Sequence, residues 1–125
     1  MSYPQRPEAG SVLHWRDDHV AHIRFNRPIA LNALDVAMTA AFRQACEEVA
    51  ADPLVRVLVI SGEGRAFQAG GDVAAMAASP EDVGRALIEQ MHAAIEALNR
   101  LPCPVLAIVQ GAAAGAAIGI LAACD

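Results

Sequence analysis

The stretch Gly64-Arg65-Ala66-Phe67-Gln68-Ala69-Gly70-Gly71-Asp72 decides how this 125-residue chain is read. It follows Val55-Arg56-Val57-Leu58-Val59-Ile60-Ser61-Gly62, an apolar run that predicts a buried strand over 55–62. Gly70 and Gly71 let the backbone turn sharply, with positive φ available and no Cβ in the way. Asp72 stands where a helix N-cap stands, just before Val73-Ala74-Ala75-Met76, and reads as a structural cap rather than a catalyst. A glycine turn feeding a helix start leaves backbone N–H groups unpaired and pointing one way. Such groups are the material of an oxyanion hole.

The segments on either side alternate in type. Ser11–Asp17 and Val20–Phe25 are predicted strands of a hairpin around Asp17-Asp18-His19. Asn26-Arg27-Pro28 ends the second strand, because proline cannot donate to a ladder. Asn32 is the expected N-cap of a helix, with Asp35 as a capping-box-like partner. That helix runs to about Ala51, with Leu34, Met38, Ala41, Phe42, Ala45 and Val49 on one face, and Asp52-Pro53 stops it. Ser79-Pro80-Glu81-Asp82 opens another helix, carried by Val83, Leu87, Met91, Ile95 and Leu98 to about Arg100. Pro102 and Pro104 force an extended entry into a strand over Val105–Val109, followed by a turn and a buried helix. The order ββαβαβα predicts a layered α/β fold with crossovers, with residues 1–125 as a single domain without repeats or linkers.

Composition narrows the function. Hydrophobic residues make up 55% of the chain, too many for disorder. The net charge is −5 with no basic tract, which argues against a nucleic-acid partner, where phosphate contacts supply most of the affinity. Cys46, Cys103 and Cys124 fit neither a disulfide framework nor a zinc site, so they are expected to be reduced, in a cytoplasmic setting. The start, Met1-Ser2-Tyr3-Pro4-Gln5-Arg6-Pro7, has no signal-peptide pattern. Residues 105–124 are uncharged, and Gly111, Gly115 and Gly119 are spaced like a membrane dimerisation face. The stretch is mostly Ala and Gly, however, and Gln110-Gly111 breaks it, so no membrane span is expected.

Gly62-Glu63-Gly64-Arg65-Ala66-Phe67 half-matches a dinucleotide fingerprint, but Phe67 stands at the third glycine and no helix starts at once. There is no phosphate-binding Gly-Lys-Ser/Thr, and His14, His19, His22 and His92 are too scattered to predict a metal site.

Three segments resemble one family. Ile23-Arg24-Phe25-Asn26-Arg27-Pro28 with Leu31-Asn32-Ala33-Leu34 is similar to the strand-to-helix signature of crotonases, the enoyl-CoA hydratase/isomerase superfamily. Arg65–Asp72 resembles the family's first oxyanion loop. Leu101-Pro102-Cys103-Pro104-Val105-Leu106-Ala107 with Gln110-Gly111-Ala112-Ala113-Ala114-Gly115 resembles the second, and Ala122-Ala123-Cys124-Asp125 the end of the helix behind it. The resemblance implies the N-terminal portion of a crotonase-like ββα spiral. It implies that the backbone N–H groups of Gly71 and Ala116 bind the thioester oxygen of an acyl-CoA. It also implies that Ala66, Phe67, Gln68 and Ala69 lie along the adenine and pantetheine, that Gly115 is a further substrate-binding residue, and that Arg27 or Arg65 meets phosphate. Ala116 follows the Gly115 turn at a helix start, where N–H groups are free and the dipole is positive. Coenzyme A belongs to the substrate, so no separate cofactor is expected. The implied activity is hydration or isomerisation of enoyl-CoA, and the implied partner is a second copy or a complementing C-terminal segment.

The chain departs from the family pattern in three places. The glutamate expected one helical turn beyond the second oxyanion residue is Gly119, flanked by Ile118 and Ile120, so no titratable group stands there. Glu63 is the reserve candidate for an acid or base. Ala116-Ala117 replaces a smaller residue, which narrows the pocket without removing a donor. Family members are longer, and a core ending at Asp125 is expected to expose a large apolar face. The sequence then represents the first part of a longer or split protein, a chain covered by a partner, or a remnant. A non-catalytic acyl-CoA-binding fragment or interaction module stands as the alternative to the enzyme.

Overall fold

The computed structural model describes residue 7, residues 9–71 and residues 80–125. Its elements are β1 (Val12–Asp17), β2 (Val20–Phe25), a 3-10 turn (Pro28–Ala30), α1 (Val36–Ala51), β3 (Val57–Gly62), α2 (Pro80–Asn99), β4 (Val105–Ala107) and α3 (Ala116–Ala122). One sheet holds the strands in the order β1-β2-β3-β4. β1 and β2 form the expected antiparallel hairpin, with Asp18 at φ 50° in its turn. β2, β3 and β4 are parallel, and α1 is the crossover between β2 and β3.

Register fixes which face is buried. Ala21, Ile23 and Phe25 lie beside Leu58, Ile60 and Gly62, and Leu58 and Ile60 lie beside Val105 and Ala107. Because side chains alternate along a strand, these residues share one face of the sheet. Met38, Phe42, Cys46 and Val49 of α1 and Ala94 and Leu98 of α2 close over it, all fully or almost fully buried. The Phe25 ring lies 5.1 Å from Phe42 and meets Phe67 edge-on at 5.8 Å. Each large side chain buried this way stabilises the fold by roughly 1.5–3 kcal/mol. Arg16, 8% exposed, ties β1 to the end of α1 through Asp52 at 2.8 Å.

Four expectations are corrected. Asn32 does not cap α1; Asp35 does, accepting from the Met38 N–H at 2.7 Å, and the helix begins at Val36. The first strand starts at Val12, not Ser11. The third starts at Val57, because the Arg56 N–H turns to the His19 carbonyl at the hairpin tip. β4 ends at Ala107 rather than Val109: the Ile108 N–H still reaches the Ile60 carbonyl, but the chain then leaves the edge. The cap at Asp72, the helix start at 73–76 and the cap at Ser79 fall outside the described residues. All three cysteines are free, and burial first, then the neighbouring Glu47 charge, pushes the Cys46 thiol up and keeps it protonated.

Candidate active site

Two loops run side by side and are joined through their backbones. The Phe67 N–H donates to the Gln110 and Ala112 carbonyls at 2.8 and 3.1 Å, and the Ala114 N–H returns to the Gln68 carbonyl at 3.1 Å. Gln68 and Ala113 form an isolated parallel bridge. The Gln110 carboxamide adds bonds to the carbonyls of Gly62 (2.7 Å) and Gly64 (2.9 Å). The approach is close enough to demand glycine. Gly111 has φ 60°, and a Cβ there would run into the Arg65 carbonyl oxygen. Gly70 has φ 99°, and a Cβ there would lie 3.2 Å from the Ala114 carbonyl oxygen.

A third segment holds this pair from beneath. Leu31 and Asn32 are both left-handed, at φ 54° and 58°. The fully buried Asn32 carboxamide accepts from the Arg27 N–H at 2.7 Å and donates to the carbonyls of Glu63, Ala66 and Phe67 at 2.9–3.1 Å. The Leu34 N–H donates to the Gly70 carbonyl at 2.7 Å, and the Ala69 N–H to the Leu31 carbonyl at 3.0 Å. The buried Gln68 amide donates to the carbonyls of Asn32 and Gly70, so the turn ahead of Gly71 is held on two sides.

Gly71 and Ala116, carried to the ends of these loops, line one cavity of about 180 Å³. The rest of its lining is Leu34, Thr39, Leu87, Ile88, Met91 and His92. Among the described residues, neither the Gly71 nor the Ala116 N–H makes a hydrogen bond. Gly115, at φ 57° and ψ −120°, swings the chain into α3, which leaves the Ala116 N–H as an orphan donor of the first turn. α3 is only seven residues long, so the donor is the N–H itself rather than a sizeable helix dipole. Two donors left free among the described residues, at a mostly apolar cavity, can polarise a carbonyl and stabilise an oxyanion formed from it.

The remaining expected site residues lie elsewhere. Ala66, Phe67 and Gln68 are buried, and the Phe67 ring belongs to the core, so their outward contribution is backbone only. Ala69 is half-buried and Gly115 exposed, and neither lines the cavity. Arg27 donates to the Ala33 carbonyl at 3.0 Å and stands 3.7 Å from the Asp35 carboxylate, bracing the entry to α1. Glu63 accepts from Arg24 Nε at 2.7 Å and is not part of the cavity, which corrects its reserve reading as acid or base. Gly119 is exposed, and a Cβ there would meet nothing within 4 Å. His14 pairs with Glu48, His22 stacks on Trp15, and His19 contacts the Leu54 carbonyl. Among the described residues no three metal-ligating side chains cluster. The contribution of α2 was missed. Leu87 and Met91 stand out in the sequence as its apolar stripe, and Ile88 and His92 repeat that spacing one residue later.

No described helix is long and apolar enough to cross a membrane. The chain is 35% identical over 114 residues to a probable enoyl-CoA hydratase of Mycobacterium tuberculosis, covering 91% of this chain and 44% of that protein. It is 33% identical over 121 residues to the peroxisomal Delta(3,5)-Delta(2,4)-dienoyl-CoA isomerase of Arabidopsis thaliana, covering 87% and 44%. The crystal structure of an enoyl-CoA hydratase from Mycobacterium smegmatis superposes with a TM-score of 0.86 at 38% identity, covering 94% of this chain and 46% of that one. The chain thus spans a little under half the length of these relatives. Their architecture bears out the crotonase-like α/β fold that the motifs implied. Residues 20–125 match the family model described as enoyl-CoA hydratase/isomerase, and this chain belongs to that family.

Proposed function

We propose that this chain binds an acyl-CoA with the thioester oxygen between the N–H groups of Gly71 and Ala116, and that the protein hydrates or isomerises enoyl-CoA. The observation that carries the reading is the meeting, at one apolar cavity, of two backbone donors that are unpaired among the described residues and sit on loops locked to each other. Such donors bind the oxygen more strongly as charge builds on it than in the resting thioester, and that difference lowers the barrier. The family match supports a CoA thioester as the carbonyl, since relatives are named as a probable enoyl-CoA hydratase and a dienoyl-CoA isomerase. On this reading the backbone of residues 66–69 carries the adenine and pantetheine, and Arg27 or Arg65 meets phosphate. Coenzyme A enters as part of the substrate and no other cofactor is required. The protein works in the cytoplasm, paired with a second copy or completed by a C-terminal segment.

Ala116→Pro tests the reading. Proline is well tolerated at the first position of a helix but has no N–H to donate. Turnover of crotonyl-CoA is expected to fall by about 10²–10³-fold with the thermal midpoint little changed. Turnover at the unsubstituted rate would sink the oxyanion assignment.

A further inference from the structure

The acyl-CoA reading still needs a group that moves a proton. Position 119 is glycine, and Glu63 is held by Arg24. Among the described residues that line the cavity, one side chain is ionisable: His92. The other polar side chain there, Thr39, is buried and already donates its hydroxyl to the Asp35 carbonyl at 2.7 Å. His92 lies on α2 one turn after Ile88 and next to Met91, both of which also line the cavity. It is exposed, and among the described residues it makes no hydrogen bond or ion pair. One imidazole thus borders both the cavity that holds the two free N–H groups and the solvent.

We propose that His92 is the general acid–base residue of this site, exchanging a proton with the carbon next to the thioester carbonyl. The proposal rests on the acyl-CoA reading. An imidazole nitrogen takes the proton from C2, and the C–H electron pair becomes the C1–C2 double bond. The carbonyl π electrons move to the thioester oxygen, where the Gly71 and Ala116 N–H groups hold them. The imidazolium then returns a proton to C2, restoring the thioester. With a β,γ-unsaturated acyl chain it returns the proton to C4 instead, which shifts the double bond into conjugation. Neither course needs a bound water, which suits a lining of Leu34, Leu87, Ile88 and Met91. Imidazole suits the task because it both accepts and donates a proton near neutral pH.

Butyryl-CoA in D₂O isolates this step, because a saturated chain can neither hydrate nor isomerise. Loss of its C2 proton signal, followed by NMR, reports exchange, while calorimetry reports binding. The protein is expected to bind butyryl-CoA and exchange that proton. His92→Gln is expected to slow exchange by about 10²–10⁴-fold. Its affinity should stay within about threefold, since the group acts in the transition state rather than in ground-state binding. Added imidazole is expected to restore part of the exchange in His92→Ala. Exchange by His92→Gln at the unsubstituted rate would overturn the proposal. So would binding by the unsubstituted protein without exchange, and in that case the oxyanion reading would stand. Failure to bind butyryl-CoA would overturn both.

Discussion

Asn32 is where local sequence rules and the folded molecule part company. An asparagine three residues before an aspartate and an apolar run satisfies the pattern of a helix N-cap. The structure gives that task to Asp35 and uses Asn32 as a buried clasp between Arg27 and the carbonyls of 63, 66 and 67. Nothing local announces the bonds to the carbonyls, since those three partners are more than thirty residues away in the chain. The left-handed backbone at φ 58° also suits asparagine better than most residues. Asn32→Ala is expected to lower unfolding stability by roughly 2–4 kcal/mol in urea titrations, because buried donors and acceptors lose their partners. Asn32→Asp should be worse than Asn32→Ala, since an ionised carboxylate would face carbonyl oxygens and can donate to none of them. Equal stability of Asn32→Asp and the unsubstituted protein would show that the clasp does not form. Gly71 and Ala116, by contrast, are residues that the family resemblance implied, and local chemistry agrees at Ala116, where the Gly115 turn into a helix start leaves an N–H without an intrahelical partner. His92 was not legible as a site residue, because only packing brings α2 against residues 71 and 116.

At the scale of elements, internal positions were easier to read than ends. The apolar stripe of α1 and the alternation of β2 and β3 are set by periodicities that tertiary contacts reinforce. The ends are set by competition for backbone hydrogen bonds, as when Gln110 reaches the carbonyls of Gly62 and Gly64 and the chain leaves the sheet after β4. α3 is the element with room for improvement. Glycine inside a helix costs about 1 kcal/mol relative to alanine, and a Cβ at Gly119 meets open space. Gly119→Ala is therefore expected to stabilise the protein by about 0.5–1 kcal/mol, seen as a higher urea midpoint with an unchanged slope. Because Gly119 does not line the cavity, butyryl-CoA affinity should not move with it. A destabilised Gly119→Ala would mean that α3 packs against something at that position.

At the scale of the whole molecule, the sheet buries the face that carries Phe25 and Ile60, and among the described residues no further strand pairs with β4. β4 is an edge, and Leu106, Ile108 and Val109 on and beyond it are 49%, 59% and 46% exposed. Ile118 on α3 is 58% exposed. These exposed apolar residues lie on the strand and helix that flank residues 110–115. Asp125 already pairs both the Val105 N–H and the Val105 carbonyl at 2.8 Å, so what this edge offers a second molecule is chiefly its apolar side chains. The 125-residue chain in isolation is expected to self-associate as its concentration rises, with sedimentation coefficients drifting upward. Replacing Leu106 and Ile108 together by lysine places two charges at that edge, so association should weaken. Thermal stability should stay within about 1 kcal/mol, since neither side chain belongs to the buried core. The pair also discriminates between two sources of association. If the double variant associates as readily as the parent, the contact lies elsewhere on the molecule. If it becomes monomeric and still binds butyryl-CoA, the edge is an assembly surface separate from the cavity that Gly71, His92 and Ala116 line.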